Sequence, residues 1–208
     1  MTDERLAKPR VLTPKGIATR GRIVAAAAEL ILESGMDGAK LEDIQAMAHV
    51  SASQLYHYFS DKSALILAVI DHQTEMVLGT QRAVLERLDS FAALEEWREV
   101  IVASIESQQC VGGCPLGSLV GSLGESDAIA REALAYSFAR WQRLLESGLE
   151  TMRDRGELRS DVDPDALALG ILASVQGGLL LSQTRRDSAA VRTAVDLSIA
   201  YLRTLRTS

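Results

Sequence analysis

The sequence predicts an all-α protein of about nine helices, and three observations carry that prediction. Alanine and leucine abound in a chain of 208 residues that is 47% hydrophobic, only 4% aromatic, and holds 4 prolines. Good helix formers therefore dominate and helix breakers are scarce. Apolar residues recur at three- and four-residue spacing in successive segments, as they do on a helix that buries one face. No segment reads as a run of alternating β-branched strand residues, and no hairpin turn pairs punctuate the chain.

The elements follow in order. Residues 1–14 are polar and basic and contain Pro9 and Pro14, which suits a flexible basic arm that tracks a phosphate backbone or an inert terminus. Lys15–Gly35 reads as a long helix buried through Ile23, Ala27, Leu30 and Ile31, with Gly35 as its stop. Leu41–Lys62 reads as two short helices around a tight turn. Ser60 is expected to cap the next helix, with Asp61 at its positive end, and that helix continues to about Leu88 past Gly79. Ala92–Ser107 carries Leu94, Trp97, Ile101 and Ile105 as its stripe. Glycines and Pro115 interrupt the chain next and leave room for a short helix over Leu116–Leu123. Asp127–Arg155 is long and amphipathic, and Gly156–Pro164 is a turn. Asp163, Pro164 and Asp165 open a helix that runs to about Arg185 and is apolar nearly all round. Asp187 or Ser188 caps the last one.

The stretch Leu41–Lys62 carries the most chemistry. Leu41, Ile44 and Ala48 give its first helix a buried face, and Ser51 is a good N-cap for its second. Leu55 and Phe59 stand one turn apart and face the same core. Ser53, Gln54 and His57 then point outward, with Tyr56 and Tyr58 on the flanks. Polar and aromatic groups on the free face of a short second helix suit a helix-turn-helix that enters the DNA major groove. The same spacing also fits an ordinary helical hairpin whose tyrosines cover its own core.

The net charge of −6 looks wrong for a nucleic-acid partner, but its distribution is uneven. Residues 1–28 hold six cations against two anions, so the rest of the chain carries the acidic surplus. A basic leading segment on an acidic body can still grip phosphates. The N-terminus lacks the apolar core of a secretory signal, and no apolar stretch is expected to reach membrane-spanning length, so a cytoplasmic protein with no membrane partner is expected. Cys110 and Cys114 have no Cys or His neighbours with ligand spacing, so no metal and no cofactor are expected. The Asp161–Asp165 segment lacks the glycine of a calcium loop and has Leu172 where its closing glutamate belongs. No nucleophile–base spacing and no phosphate-cradling loop suggest an enzyme.

Asp43-Ile44, Val50-Ser51, Leu55-Tyr56-His57-Tyr58-Phe59 and Asp61-Lys62 together resemble the tetracycline-repressor (TetR) family of bacterial transcription regulators. The resemblance covers the whole chain in length and helix count. Gly113–Leu119, Gln176-Gly177-Gly178 and Gln183–Arg186 are similar to one branch, the LmrA/YxaF-like regulators, whose members are associated with efflux or detoxification genes. The resemblance implies an N-terminal three-helix helix-turn-helix DNA-binding domain over residues 15–61. A helical effector-binding and dimerisation domain follows over residues 62–208. It implies phosphate contacts from Lys62 and Tyr58, a sugar-phosphate or thymine contact from Tyr56, and base-facing positions at Ala52, Ser53 and Gln54. His57 faces backbone or solvent. Gln54 has the chemistry to read adenine bidentately. Two residues depart from the family pattern. Lys40 stands where Ser or Thr usually caps the second helix, and a lysine there can pair with phosphate instead. His49 stands where the turn usually has Gly, and His is among the non-glycine residues that tolerate positive φ.

The implied partners are a double-stranded DNA operator, a small-molecule effector and a second copy of the chain. The last two helices are the candidate dimer surface, with Gly170, Gly177 and Gly178 allowing close approach. The candidate effector site takes apolar bodies from Trp97, Tyr136, Phe138, Trp141 and Met152. Gln108, Arg140 and Gln176 supply its polar groups, and Cys114 lies beside it. The expected function is repression released by an apolar or aromatic effector. The alternative signal is oxidant or electrophile chemistry at Cys114, which requires that its place beside a helix start lower its pKa, whereas structural burial of Cys110 and Cys114 is the favoured reading. A helical enzyme is the weakest alternative.

Overall fold

The computed structural model describes residues 12–207, so the basic arm lies largely outside the described residues. Among them are nine α-helices and a single isolated antiparallel bridge, Leu158 with Arg206. The all-α prediction holds. The chain divides into two compact units, Met1–Leu65 and Ile66–Ser208.

The first unit holds α1 (Pro14–Gly38), α2 (Leu41–Ala48) and α3 (Ala52–Tyr58). Thr13 caps α1 by accepting from the Gly16 N–H at 3.2 Å, and Pro14 suits its first position because its missing N–H would have no partner there. Gly35 leaves the helical conformation (φ 71°, ψ 177°), where only glycine sits without strain. Ile23, Ala27, Ile44, Ala48, Leu55 and Phe59 form the core. Arg22 donates to the Ala48 carbonyl at 3.4 Å, which satisfies one of the free acceptors ending α2.

α4 (Lys62–Leu85) begins in the first unit and continues into the second. Its cap differs from the expectation. Asp61, not Ser60, accepts from the Ala64 N–H at 2.8 Å, and Ser60 donates to the other Asp61 oxygen. A carboxylate outcompetes a hydroxyl for a helix start because it also meets the positive end of the dipole. α4 stops at Leu85, short of Leu88, and runs unbroken through Gly79.

The second unit adds α5 (Phe91–Ser107), α6 (Pro115–Leu123), α7 (Ala128–Asp154), α8 (Pro164–Arg185) and α9 (Ala189–Thr204). Trp97 is fully buried and donates to Gln81 Oε1 at 2.8 Å, while Gln81 Nε2 donates to the Val77 carbonyl. Thr74 of α4 donates to Ser137 of α7 at 2.8 Å, another satisfied buried pair. Gly148 of α7 lets Leu88 lie against the helix. A methyl there would stand 2.5 Å from the Leu88 carbonyl oxygen. Three ion pairs tie α5 to α9: Arg98–Asp196, Glu99–Arg192 and Glu95–Arg203.

α8 and α9 form an antiparallel pair built on one close approach. A methyl on Gly178 would stand 2.7 Å from Val191 Cα, so this glycine serves packing within the chain rather than contact with a second copy. Ser182 accepts from the Val191 N–H at 3.1 Å beside it. Gly170 and Gly177 have nothing within 4 Å and face outward. Contrary to the expectation that no apolar stretch reaches membrane length, an 18-residue window of α8 has a mean hydropathy of 1.5, enough by length and composition alone. α8 is apolar all round because one side packs inside the unit and the other lines an open groove shared with α9.

Two glycines of opposite character check this packing. Gly148→Ala should lower stability by about 1–3 kcal/mol, since Leu88 has to move. Gly79→Ala, on an exposed and open stretch of α4, should raise it by about 0.5–1 kcal/mol. Thermal melts of the two variants should shift in opposite directions.

Candidate nucleic-acid interface and effector region

The turn between α2 and α3 is fixed at both ends. His49 ends α2 in the left-handed conformation (φ 53°, ψ 52°), and its N–H reaches the Ala46 and Gln45 carbonyls. Lys40 precedes α2 in extended conformation and makes no side-chain cap, which leaves its ammonium exposed. Ser51 then opens α3 with a full capping box. Its hydroxyl accepts from the Gln54 N–H at 3.2 Å, and Gln54 Oε1 accepts from the Ser51 N–H at 2.9 Å.

Leu55 and Phe59 are each 2% exposed and anchor α3 to the core. The opposite face carries Ala52, Ser53, Gln54, Tyr56 and His57, all exposed. Tyr56 is 55% exposed. Tyr58 is half-buried, with the His57 ring edge-on to it at 5.1 Å. Its hydroxyl lies over the first turn of α1, 3.6 Å from where a Gly16 methyl would stand. That hydroxyl therefore sits beside a helix N-terminus, where an anion is favoured. The Arg20 guanidinium stacks 5.1 Å from the Phe59 ring centroid, and Arg20, Arg22, Lys40 and Lys62 are all exposed in this unit. Arg20 and Arg22 are two of the six cations of residues 1–28, but the sequence alone did not place them at the site. Both stand on the polar side of α1, and only the folded unit brings them to Phe59 and to the end of α2.

The contrast with the second unit is electrostatic. Among the described residues the ion pairs lie between residues 75 and 203. Most arginines of the acidic body, among them Arg98, Arg140, Arg192 and Arg203, are engaged by its own carboxylates. The Ala64 N–H holds the Asp61 carboxyl below the usual range, helped by the Ser60 hydroxyl.

The candidate effector residues do not all converge. Trp97 is spent on Gln81 and has no free polar atom. Tyr136 is 63% exposed on α7, with Arg143 over its ring at 5.8 Å. Arg140 is paired with Glu75 at 2.5 Å, which raises the Arg140 pKa and lowers that of Glu75. Gln108 is exposed and turns back on the Ser104 carbonyl. Phe138 is half-buried. Helical spacing could not show which polar side chains already had partners. Among the described residues, two buried donors have no hydrogen-bond partner, Trp141 Nε1 and Gln176 Nε2, the second with the Cys114 sulfur nearby. Such groups cost free energy unless something accepts from them.

Gln176 belongs to a cluster that explains three separate sequence segments. The loop from Gln109 to Cys114 holds four residues at positive φ: Gln109, Cys110, Gly112 and Gly113. α8 braces it. The Gln183 amide fills the space where a Gly113 methyl would be, 2.5 Å from Oε1. Arg186 donates to the Cys110 carbonyl at 3.2 Å, and Gln176 lies against Gly117 and the Cys114 thiol. Burial pushes the Cys114 thiol up, although the Gly117 and Leu116 N–H groups and Gln176 pull the other way. This fits the structural, buried reading of Cys114 and removes the lowered pKa that a thiol sensor there would need. Desolvation outweighs the helix terminus when the sulfur is buried.

A seven-residue helix on a capped turn, with a polar outer face and cations around it, defines a helix-turn-helix DNA-binding protein. Comparison with known proteins gives the family. Residues 23–69 match the family described as bacterial regulatory proteins, tetR family, and residues 85–197 match the tetracyclin repressor-like C-terminal domain. An uncharacterized HTH-type transcriptional regulator in the lacX 3' region of Lactococcus lactis subsp. lactis is 30% identical over 181 residues, covering 86% of this chain and 90% of the relative. The HTH-type transcriptional repressor DhaR of Mycobacterium sp. (strain GP1) is 25% identical over 173 residues, covering 81% and 84%. A TetR transcriptional regulator from Chloroflexus aurantiacus J-10-FL superposes with a TM-score of 0.80 at 26% identity, covering 94% of this chain and all of that one. The chain belongs to the TetR family of helix-turn-helix transcriptional regulators, which bind DNA and are not enzymes.

The cap at α4 gives a pH-dependent check. Because folding depresses the Asp61 pKa, its stabilisation is present above the usual carboxylate range and is lost as pH falls through the folded value. Asp61→Asn should therefore be less stable than wild type at neutral pH, with the difference closing in acid. Chemical denaturation as a function of pH reads this directly.

Proposed function

We propose that the chain is a homodimeric repressor, held on a palindromic operator and released by a small apolar or aromatic effector. In this reading residues 15–61 bind DNA, and residues 62–208 bind the effector and dimerise. The observation that carries the dimer is the outer face of α8 and α9. Leu181 is 53% exposed, Leu197 66% and Tyr201 57%, and all three line an open apolar groove of about 710 Å³ with Leu167, Gly170 and Gly177. So large an exposed apolar surface calls for a partner. A self-complementary helix pair gives the two-fold axis that a palindrome requires.

Each half-site takes one α3. Ala52, Ser53 and Gln54 face the base edges, while Tyr56, Tyr58, Lys40 and Lys62 grip the backbone. The exposed position of Tyr56 and the place of the Tyr58 hydroxyl beside the α1 N-terminus support those roles. Repression is supported by the printed name of the relative DhaR. The similarity of Gly113–Leu119 and its α8 partners to LmrA/YxaF-like regulators supports control of efflux or detoxification genes. The effector lies among the α4–α8 helices, where the orphaned Trp141 and Gln176 donors fix the acceptor atoms of an otherwise apolar molecule. An effector that binds better to the form unable to hold DNA shifts the population and releases the operator. A regulator working on DNA in a bacterial cell is cytoplasmic.

Leu181→Glu with Leu197→Glu should convert a dimer into a monomer on analytical ultracentrifugation, with operator affinity falling by at least about 100-fold as the second half-site is lost. Lys62→Ala should weaken binding evenly across sequences and reduce the salt slope by about 1. A double-glutamate variant that stays dimeric, or binds as tightly as wild type, contradicts the proposed assembly.

A further inference from the structure

We propose that Gln54 reads its base as a hydrogen-bond donor only, and therefore selects guanine rather than adenine. The inference rests on the reading above that α3 enters the major groove. Its observation is the capping box: Gln54 Oε1 accepts from the Ser51 N–H at 2.9 Å, while the Gln54 N–H donates to the Ser51 hydroxyl at 3.2 Å. The amide is not a free arm extended from the helix. Its oxygen is folded back onto the backbone that starts α3, and the Nε2 hydrogens are left facing out from an exposed side chain.

That orientation decides the base. A glutamine that recognises adenine uses both halves of its amide, accepting from the adenine N6 amino group and donating to N7. To do so here, Oε1 would have to leave Ser51 and give up one half of the capping box. α3 has seven residues, too few to hold helical shape without its cap and its two anchors, Leu55 and Phe59. Freeing the oxygen for a base therefore weakens the helix that presents it. A donor-only amide avoids the conflict. Guanine offers two acceptors in the major groove, N7 and O6, and no donor. The Nε2 hydrogens match that edge with the cap intact. Adenine instead turns an amino group toward an oxygen that is already engaged.

Glutamate isolates the effect, because it accepts from the N-cap N–H as glutamine does but has no hydrogens to offer. DNA is selected from a random duplex pool with wild type, Gln54→Glu and Gln54→Ala, and thermal melts are recorded for all three proteins. The base read by Gln54 is the half-site position whose preference changes in both variants. In wild type that position should be guanine. Gln54→Glu should melt like wild type and keep the rest of the operator, yet lose at least about tenfold of its guanine preference. Gln54→Ala should lose the preference and melt lower. Adenine at that position in wild type, or an unchanged selected sequence with Gln54→Glu, overturns the donor-only reading while leaving the regulator reading standing. Failure of wild type to select any sequence overturns both.

Discussion

Everything proposed for DNA recognition depends on the turn between α2 and α3. A helix of seven residues has almost no stability of its own, since nucleation costs more than so few hydrogen bonds return. α3 persists because it is fixed from outside. His49 turns the chain through the left-handed region, Ser51 and Gln54 close the first turn on each other, and Leu55 and Phe59 sink into the core. Arg22 ties the end of α2 to α1 at the Ala48 carbonyl. Each of these contacts is modest. Together they give the outer face of α3 one orientation, which a reader of base edges needs before it meets DNA.

The two units treat charge in opposite ways. In the acidic body, arginines such as Arg98, Arg140, Arg192 and Arg203 are each paired with a carboxylate from another helix. Exposed pairs of this kind contribute little to stability. They do neutralise the body's cations, so a phosphate backbone has little to gain there. The helix-turn-helix unit instead exposes Arg20, Lys40 and Lys62 around α3. A net charge of −6 is thus compatible with DNA binding, because the attraction is local and the repulsion elsewhere discourages misplaced contact.

Much of this was legible in the sequence, and for identifiable reasons. Helical stripes, Gly35, the left-handed His49 and the Ser51 cap depend on neighbours within four residues, so their signals lie in the local pattern. The α8–α9 pair was legible from its apolar excess, although Gly178 proved to serve α9 of the same chain. What escaped depends on partners distant in the chain. Nothing near Arg140 announces Glu75, nothing near Trp97 announces Gln81, and the burial that raises the Cys114 pKa comes from the fold around it. The candidate effector residues could therefore not be sorted into free and engaged groups. The cap of α4 fell one residue later than expected because the Asp61 carboxylate takes the Ala64 N–H and the Ser60 hydroxyl donates to that carboxylate.

The central claim is that two copies of this chain, joined through α8 and α9, place two α3 helices on one operator. The most direct measurement is the stoichiometry of the protein–operator complex by native mass spectrometry, using the full palindrome and an isolated half-site. The account predicts an even number of chains on the palindrome and affinity at least about 100-fold weaker for the half-site. A single chain bound to either duplex with equal affinity would contradict it.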